Sequence, residues 1–169
     1  MQRQQTKNCR GKTRNTNHGF SLIELLIVVA VILIVAAIAI PNFIRSKMRA
    51  NEAAAVQNSR NITTAEVVYS TTYGIGFSVD LPSMSGNGIV VDQNNAGLID
   101  TVLAAGSKSG YLFTYVILSQ DPLGHVTGYS LNADPLTTSS GQRHFYTDQT
   151  SVIRSNDLIA AGPTDPAIQ

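Results

Sequence analysis

A single long apolar segment dominates the hydropathy pattern of the chain. Residues 20–40 form an uninterrupted run of 21 amino acids in which Glu24 is the one ionisable side chain. A helix of that length is about 30 Å long, which matches the hydrocarbon thickness of a bilayer. A helix buried in a soluble core would show a polar stripe at helical spacing, and this segment has none. The pattern therefore predicts a membrane-spanning helix.

The residues before the apolar segment indicate how that helix crosses the membrane. Residues 1–19 carry five basic side chains and no acidic one, namely Arg3, Lys7, Arg10, Lys12 and Arg14. By the positive-inside rule, the N-terminus is expected in the cytoplasm and the rest of the chain outside. A secretory signal peptide, cut after Ala39, remains the alternative, although its apolar region normally spans only about 7–15 residues.

A second helical pattern follows Pro41, which lacks a backbone donor and is expected to kink the helix. Apolar residues recur at spacings of four and seven at Ile44, Met48, Ala55, Ile62, Tyr69 and Tyr73. The opposite side is expected to face solvent or another subunit, and it carries Arg45, Arg49, Asn58 and Arg60. Gly74 is a natural C-terminal stop. One long helix is predicted, apolar all round in its first half and amphipathic in its second.

The rest of the chain shows shorter periodicities. Residues 74–88 are rich in Gly, Ser and Pro and predict a connecting loop. Residues 95–106 place four apolar side chains at helical spacing and predict a short helix. The last eight residues, 162–169, are expected to be loose. These elements would surround the strands.

Strand patterns occupy two regions that are rich in β-branched and aromatic residues. Residues 110–118 and 125–133 predict a hairpin, because Pro and Gly mark the turn between them. Residues 143–148 and 151–155 predict a second one. The expected fold class is α+β, with the amphipathic half of the long helix packed on a small antiparallel sheet.

The motif around the start of the apolar segment resembles a known family. Gly19-Phe20, then Ser21-Leu22-Ile23-Glu24-Leu25, the apolar run and Pro41 together resemble the class III leader and N-terminal helix of type IV pilins and related pseudopilins. In that family the charged leader ends in Gly, the mature chain begins with an aromatic residue, Glu is the fifth mature residue and Pro the twenty-second.

The resemblance implies a role for each matched residue. Gly19 would end the cleaved leader (residues 1–19), and a prepilin peptidase would cut between Gly19 and Phe20. Phe20 would become the N-methylated N-terminus. Glu24 would neutralise the new α-amine, within the subunit or on the next one, and set the subunit register. Phe20, Glu24 and Pro41 are therefore the expected assembly residues, and the type IV pilin fold is the expected fold.

The resemblance also implies a domain plan and a set of partners. Residues 20–41 would be the transmembrane and assembly half of the helix, 42–74 its amphipathic half, and 75–169 the head. The partners would be copies of the same chain in a helical filament, the prepilin peptidase, the membrane, and an inner-membrane assembly platform with its ATPase. The subunit would sit in the bacterial inner membrane before joining an extracellular pilus or a periplasmic pseudopilus.

Three functions remain open at this point. The preferred one is a structural subunit of a type IV pilus, and the first alternative is a major pseudopilin of a type II secretion system. The alternative from another class is a membrane-anchored extracytoplasmic binding domain. Enzymatic function is not expected, because the sequence shows no nucleophile elbow, phosphate-binding loop or zinc motif, and no catalytic or metal-binding residue is assigned.

Charge and cysteine content add little to these alternatives. Residues 20–169 carry 7 basic and 11 acidic residues, a net charge of 7 − 11 = −4, so the basic character is confined to the leader. The basic leader is explained by topology, so no nucleic acid is expected as a partner. Cys9 is the one cysteine, so the mature part can form no disulfide. No cofactor is expected. Calcium is an alternative because the turn that contains Asp121 resembles part of the calcium loop of type II secretion pseudopilins.

Overall fold

A computed structural model describes residues 19–86 and 91–168 of the chain. The chain divides into two compact units, Met1–Ile40 and Pro41–Gln169. The predicted leader lies outside the described residues except for Gly19. Helix α1, Leu22–Tyr73, begins in the first unit and ends in the second.

The first unit consists, in its described part, of Gly19 to Ser21 and the apolar half of α1. The apolar run begins at Phe20, and the helix begins two residues later. The side chains of the helix up to Ile40 are almost all exposed. It is long and apolar enough to cross a membrane, with a mean hydropathy of 3.3 over its most apolar window and none of that window buried. Packing within the protein therefore does not explain why this segment is apolar.

The second unit begins with the amphipathic half of α1. The buried face of this half carries Ala55, Asn58, Ser59, Ile62, Thr63, Ala65, Glu66 and Tyr69. Asn58 was expected on the solvent side, and that prediction is wrong, since the residue is 6% exposed. Gly74 adopts φ +67°, and its N–H donates to the Ser70 carbonyl at 3.0 Å. The predicted helix stop is therefore confirmed, because glycine takes this left-handed conformation without the steric cost that other residues meet.

Five antiparallel strands form one sheet in the order β1-β2-β3-β4-β5, which confirms the expected α+β class. The strands are β1 Ser107–Lys108, β2 Tyr111–Gln120, β3 Val126–Pro135, β4 His144–Asp148 and β5 Arg154–Asn156. Both predicted hairpins are present. The core lies between the second half of α1 and one face of this sheet, where apolar side chains of both meet. It includes Ala55, Ile62, Ala65, Tyr69, Tyr111, Phe113, Leu131, Ala133 and Phe145.

The helix predicted for residues 95–106 is largely wrong, since α2 covers only Thr101–Ala104. The Asp100 side chain accepts a hydrogen bond from the Leu103 N–H at 3.0 Å and caps the helix there. The residues before it instead hydrogen-bond the segment around the 3₁₀ turn Pro82–Met84, and the Leu98 N–H donates to the Met84 carbonyl at 2.8 Å. Backbone pairing with a distant loop has replaced the local helix.

The expectation of a loose C-terminal tail is also wrong for the described residues. The Ser155 N–H donates to the Pro166 carbonyl at 3.0 Å, and the Ile168 N–H donates to the Ile153 carbonyl at 2.9 Å. These bonds place the tail beside β5.

Candidate functional site

The predicted cleavage position lies just before α1 and is accessible. Gly19 and Phe20 are exposed, and Phe20 is 84% exposed. A Cβ atom added at Gly19 would meet nothing within 4 Å. Packing in the described structure therefore does not require glycine at this position.

Glu24 caps the first turn of α1. Its Oε2 accepts a hydrogen bond from the Ser21 N–H at 3.0 Å, and the Leu25 N–H donates to the Ser21 carbonyl at 3.2 Å. Ser21 and Glu24 stand at the spacing of a capping box, a pattern that satisfies backbone donors which the first turn leaves free. The S-x-x-E signature of this cap is present in the sequence, which could have indicated the capping role in advance. Glu24 thus has a local structural role in addition to the predicted one.

The helix surface on both sides of Glu24 offers apolar side chains to its surroundings. Leu22 is 81% exposed and Ile38 is 66% exposed, and the large apolar residues between them are about half exposed or more. Water is an unfavourable environment for such a surface, at roughly 25 cal/mol for each Å². Lipid or the helices of other subunits would be a favourable one.

Pro41, the last of the predicted assembly residues, lies inside α1, which runs through it to Tyr73. Without an N–H, Pro41 cannot donate the hydrogen bond that the Ala37 carbonyl would receive in a regular helix. The kink expected there stays a prediction. Gly19, Phe20 and Glu24 lie within one turn of the helix start, while Pro41 follows 17 residues after Glu24 (41 − 24).

A second polar site, which the sequence reading missed, is buried in the head. Glu66 on α1 is fully buried, and its carboxylate accepts the Ser78 N–H at 2.8 Å and the Ser78 hydroxyl at 2.6 Å. The Tyr115 hydroxyl donates to the Ser78 carbonyl at 2.9 Å. Burial raises the pKa of Glu66 above its ordinary value of 4.5, and the hydrogen bonds from Ser78 oppose that rise. The cluster ties the loop after α1 to the helix and to β2.

Two buried tyrosines, Tyr111 and Tyr129, and the half-buried Tyr115 lie in or beside the core. Burial raises the pKa of Tyr115 and Tyr129, and the nearby Glu66 charge acts in the same direction. Burial also raises the pKa of Tyr111, whose hydroxyl donates to the Arg143 carbonyl at 2.8 Å. Tyr115 and Tyr129 stack with ring centroids 5.2 Å apart. These contacts are those of a packed core, and the geometry gives the tyrosines no role beyond it.

The two histidines of the head each contact a carboxylate. His125 Nδ1 lies 3.0 Å from Asp121 Oδ2, and His144 Nδ1 lies 2.5 Å from Asp134 Oδ1. Among the described residues, no group of three or more His, Cys, Asp or Glu side chains could hold a metal ion. Hydrogen bonds, the one from the His125 N–H first, lower the pKa of the Asp121 carboxyl. Calcium binding at this turn stays a prediction.

Comparison with known proteins agrees with the motif at the helix start. The Prokaryotic N-terminal methylation motif matches residues 14–40, the range that contains Gly19, Phe20 and Glu24. The chain is 54% identical over 50 residues to the type IV major pilin protein PilA of Myxococcus xanthus (strain DK1622). That match spans 30% of this chain and only 23% of that relative.

Other relatives match beyond the apolar helix. Two fimbrial proteins of Pseudomonas aeruginosa are each 38% identical over 109 residues, which covers 54% of this chain and 70% of each relative. No solved structure matches the chain. The methylation motif, the relatives and the long helix packed on a five-stranded antiparallel sheet lead to one conclusion: the chain belongs to the type IV pilin family.

Proposed function

We propose that this chain is a prepilin that is cut between Gly19 and Phe20, N-methylated at Phe20, and assembled into a type IV pilus. A structural subunit of the type IV pilin kind agrees with the family membership. The observation that carries the finer proposal is the exposed apolar half of α1, with Glu24 as its one ionisable side chain near its start. Such a surface suits a subunit that is held first by lipid and then by copies of itself.

Cleavage after Gly19 is supported by the surroundings of that residue. Packing within the described protein does not require glycine there, since a Cβ would enter open space. A protease cleft that encloses the backbone closely would impose that requirement from outside. The exposed position of Gly19 before the first helical residue also leaves its peptide bond accessible.

The role proposed for Glu24 follows from what cleavage creates. The new α-amine of Phe20 has an ordinary pKa of about 7.7–8.0 and is largely protonated at neutral pH. Two opposite unit charges about 4 Å apart attract by roughly 4 kcal/mol at an effective dielectric of about 20, and their desolvation offsets part of this. Glu24 lies in the first turn of α1, so its carboxylate supplies the counter-charge within this subunit or to a neighbour.

The location and partners follow from the same segment. The basic leader favours an N-terminus in the cytoplasm, with the head outside the inner membrane. Removal from the bilayer exposes a large apolar surface, which requires energy from outside the subunit. An inner-membrane assembly platform driven by an ATPase is the proposed source. The prepilin peptidase would act at the cytoplasmic face before assembly.

A major pseudopilin of a type II secretion system is the second candidate, because the mature part of the chain has no cysteine. Many type IV pilins close their C-terminal region with a disulfide, which this chain cannot form. A membrane-anchored binding domain is the candidate from another class, and it predicts that the N-terminus stays uncut.

Mass spectrometry of the mature N-terminus tests the proposal, together with electron microscopy of surface filaments. We expect an N-methylated Phe20, and long filaments that disappear on deletion of the gene. A Gly19→Val variant should keep its leader, whereas the matched Gly11→Ala variant should be processed normally. An intact Met1 or a cut after Ala39 in the natural protein would refute the proposal. Loss of a secreted enzyme with no surface filaments would favour the pseudopilin.

A further inference from the structure

An open cleft in the head unit brings together three arginines shortly after the apolar half of α1. The cleft has a volume of about 320 Å³ and lies between the start of the amphipathic helix and the strands β4 and β5. Its lining consists of Arg45, Met48, Arg49, Glu52, Gln142, Arg143 and Asp157. The charged residues give three positive charges against two negative ones, a net charge of 3 − 2 = +1.

Arg143 is held in place on one side of this cleft. Its Nε lies 3.3 Å from Asp157 Oδ1, and one terminal nitrogen donates to the Ser155 hydroxyl at 2.6 Å. The guanidinium also lies over the Phe145 ring, 5.5 Å from its centroid. Glu52 is engaged as well, since its Oε1 accepts the Gln142 N–H at 3.0 Å. These contacts hold Arg143 and Glu52 in place, and the Asp157 carboxylate is paired with Arg143.

Arg45 and Arg49 are the two arginines of the cleft that have no ion-pair partner among the described residues. Both are exposed, and within the described residues neither takes part in an ion pair. They are four residues apart on α1, so they share one face of the helix. Two neighbouring guanidinium groups of the same charge repel each other, and this arrangement is favourable when an anion lies between them.

The position of the two arginines along the helix indicates which anion is within reach. They follow Pro41 by four and eight residues, which is about 6 and 12 Å of helix. The Cα–Cβ bonds of a helix tilt toward its N-terminus, so both arginine side chains leave the helix in the direction of Pro41. The polar headgroup layer extends roughly 5–8 Å beyond the hydrocarbon core on each side of a bilayer.

We propose that Arg45, Arg49 and Arg143 bind the phosphate of an anionic phospholipid in the outer leaflet of the inner membrane. The inference rests on the proposed function, since it requires residues 20–40 to span the bilayer before assembly. Arginine suits this ligand because its planar group donates two parallel hydrogen bonds to a phosphate. The site would hold the head against the membrane surface and release it when the subunit leaves the bilayer.

Native mass spectrometry of the full mature chain in detergent micelles tests the proposal. Phosphatidylglycerol and phosphatidylcholine are added in turn, and the lipid molecules retained are counted. We expect a preference for phosphatidylglycerol that falls by about fivefold in each of Arg45→Gln and Arg49→Gln. Arg60→Gln is the matched control, because this exposed arginine follows on the same helix outside the cleft. It should keep the full preference.

The remaining results separate the lipid from other anions. Arg143→Lys retains the positive charge but loses the planar group that donates two parallel hydrogen bonds. Its preference for phosphatidylglycerol should lie between those of the natural protein and of Arg45→Gln. Equal retention of the two lipids, or an equal loss in Arg60→Gln, overturns the proposal. Displacement of phosphatidylglycerol by inorganic phosphate at a matched concentration overturns the lipid assignment. Filaments that fail to form in Arg45→Gln while lipid retention is unchanged would assign the residue to a contact between subunits instead.

Processing at Gly19 and filament formation by the natural protein are scored in parallel. Normal processing and filaments without any lipid preference overturn this inference alone. An uncut leader in the natural protein overturns the proposed function, whatever lipids the detergent-solubilised chain retains. The two failures are therefore distinguishable.

Discussion

The Glu66 carboxylate accepts two hydrogen bonds from one residue, Ser78, through its backbone N–H at 2.8 Å and its hydroxyl at 2.6 Å. Glu66 lies on α1, and Ser78 lies in the loop that follows the helix. Both residues are fully buried. The pair therefore ties the amphipathic half of α1 to the loop with which the rest of the head begins.

Removal of the Glu66 carboxylate should destabilise the head strongly. Glu66→Ala leaves the Ser78 N–H and hydroxyl buried without their acceptor, and we expect the free energy of unfolding to fall by about 3 kcal/mol. Ser78→Ala removes one donor and keeps the backbone bond, so it should cost about 1 kcal/mol. Urea unfolding of the detergent-solubilised mature protein measures both values. Equal effects of the two variants would contradict the role given to the carboxylate.

The same residue should make stability depend on pH. Burial raises the pKa of Glu66 above 4.5, so the folded protein binds this proton more tightly than the unfolded chain. The stabilisation that results from this shift is fully present below pH 4.5 and is lost as the pH rises through the pKa of Glu66 in the folded protein. We expect the difference in unfolding free energy between the natural protein and Glu66→Gln to shrink in that window. A difference that grows with pH would show the opposite sign of the shift.

Two substitutions of Glu24 separate its two roles. Glu24→Gln keeps an oxygen that can accept the Ser21 N–H but removes the charge, whereas Glu24→Ala removes both. If the charge sets the subunit register, both variants should be inserted and processed normally and form no filaments. Filament counts by electron microscopy and N-terminal mass spectrometry measure this. Filaments in Glu24→Gln but not in Glu24→Ala would assign the residue to helix capping alone.

Gly76 should tolerate substitution much less well than Gly124. Both have positive φ, +82° and +87°, so alanine is strained at either position by roughly 1 kcal/mol. A Cβ at Gly76 would lie 2.2 Å from the Val126 carbonyl oxygen, while one at Gly124 would meet nothing within 4 Å. We therefore expect Gly76→Ala to lower the midpoint of thermal unfolding well below that of Gly124→Ala. Similar midpoints would mean that the loop shifts away from β3 without cost.

The sequence predicted the elements whose signals are local. The apolar run from residue 20, the spacing through Ile62 and Tyr69, and the stop at Gly74 indicated the long helix and its end, and the structure has them. The turn between β2 and β3 was visible from its Pro and Gly. The capping box of Ser21 and Glu24 is also a local signal, since its S-x-x-E spacing is present in the sequence.

Other features depend on contacts between distant parts of the chain. Residues 95–99 have a helical pattern, yet their N–H groups find acceptors near Met84 and the helix shrinks to four residues. Asn58 reads as a surface residue but lies on the buried face. Glu66 lies between Ile62 and Tyr69 on the apolar face of the helix, so the sequence indicates that its carboxylate has a buried hydrogen-bond partner. The sequence does not indicate that this partner is Ser78.

The sequence alone determined the apolar helix, the methylation motif at its start and the α+β class, because each depends on side chains that are neighbours along a helix or strand. The tertiary structure decided that Glu66 bonds Ser78, that Gly76 lies against Val126, and that Arg143 joins Arg45 and Arg49 in one cleft. These relationships bring together residues that are 12 to 98 positions apart (78 − 66 and 143 − 45). Periodicity carries no information about them, since they depend on how the packed elements place their polar and charged groups.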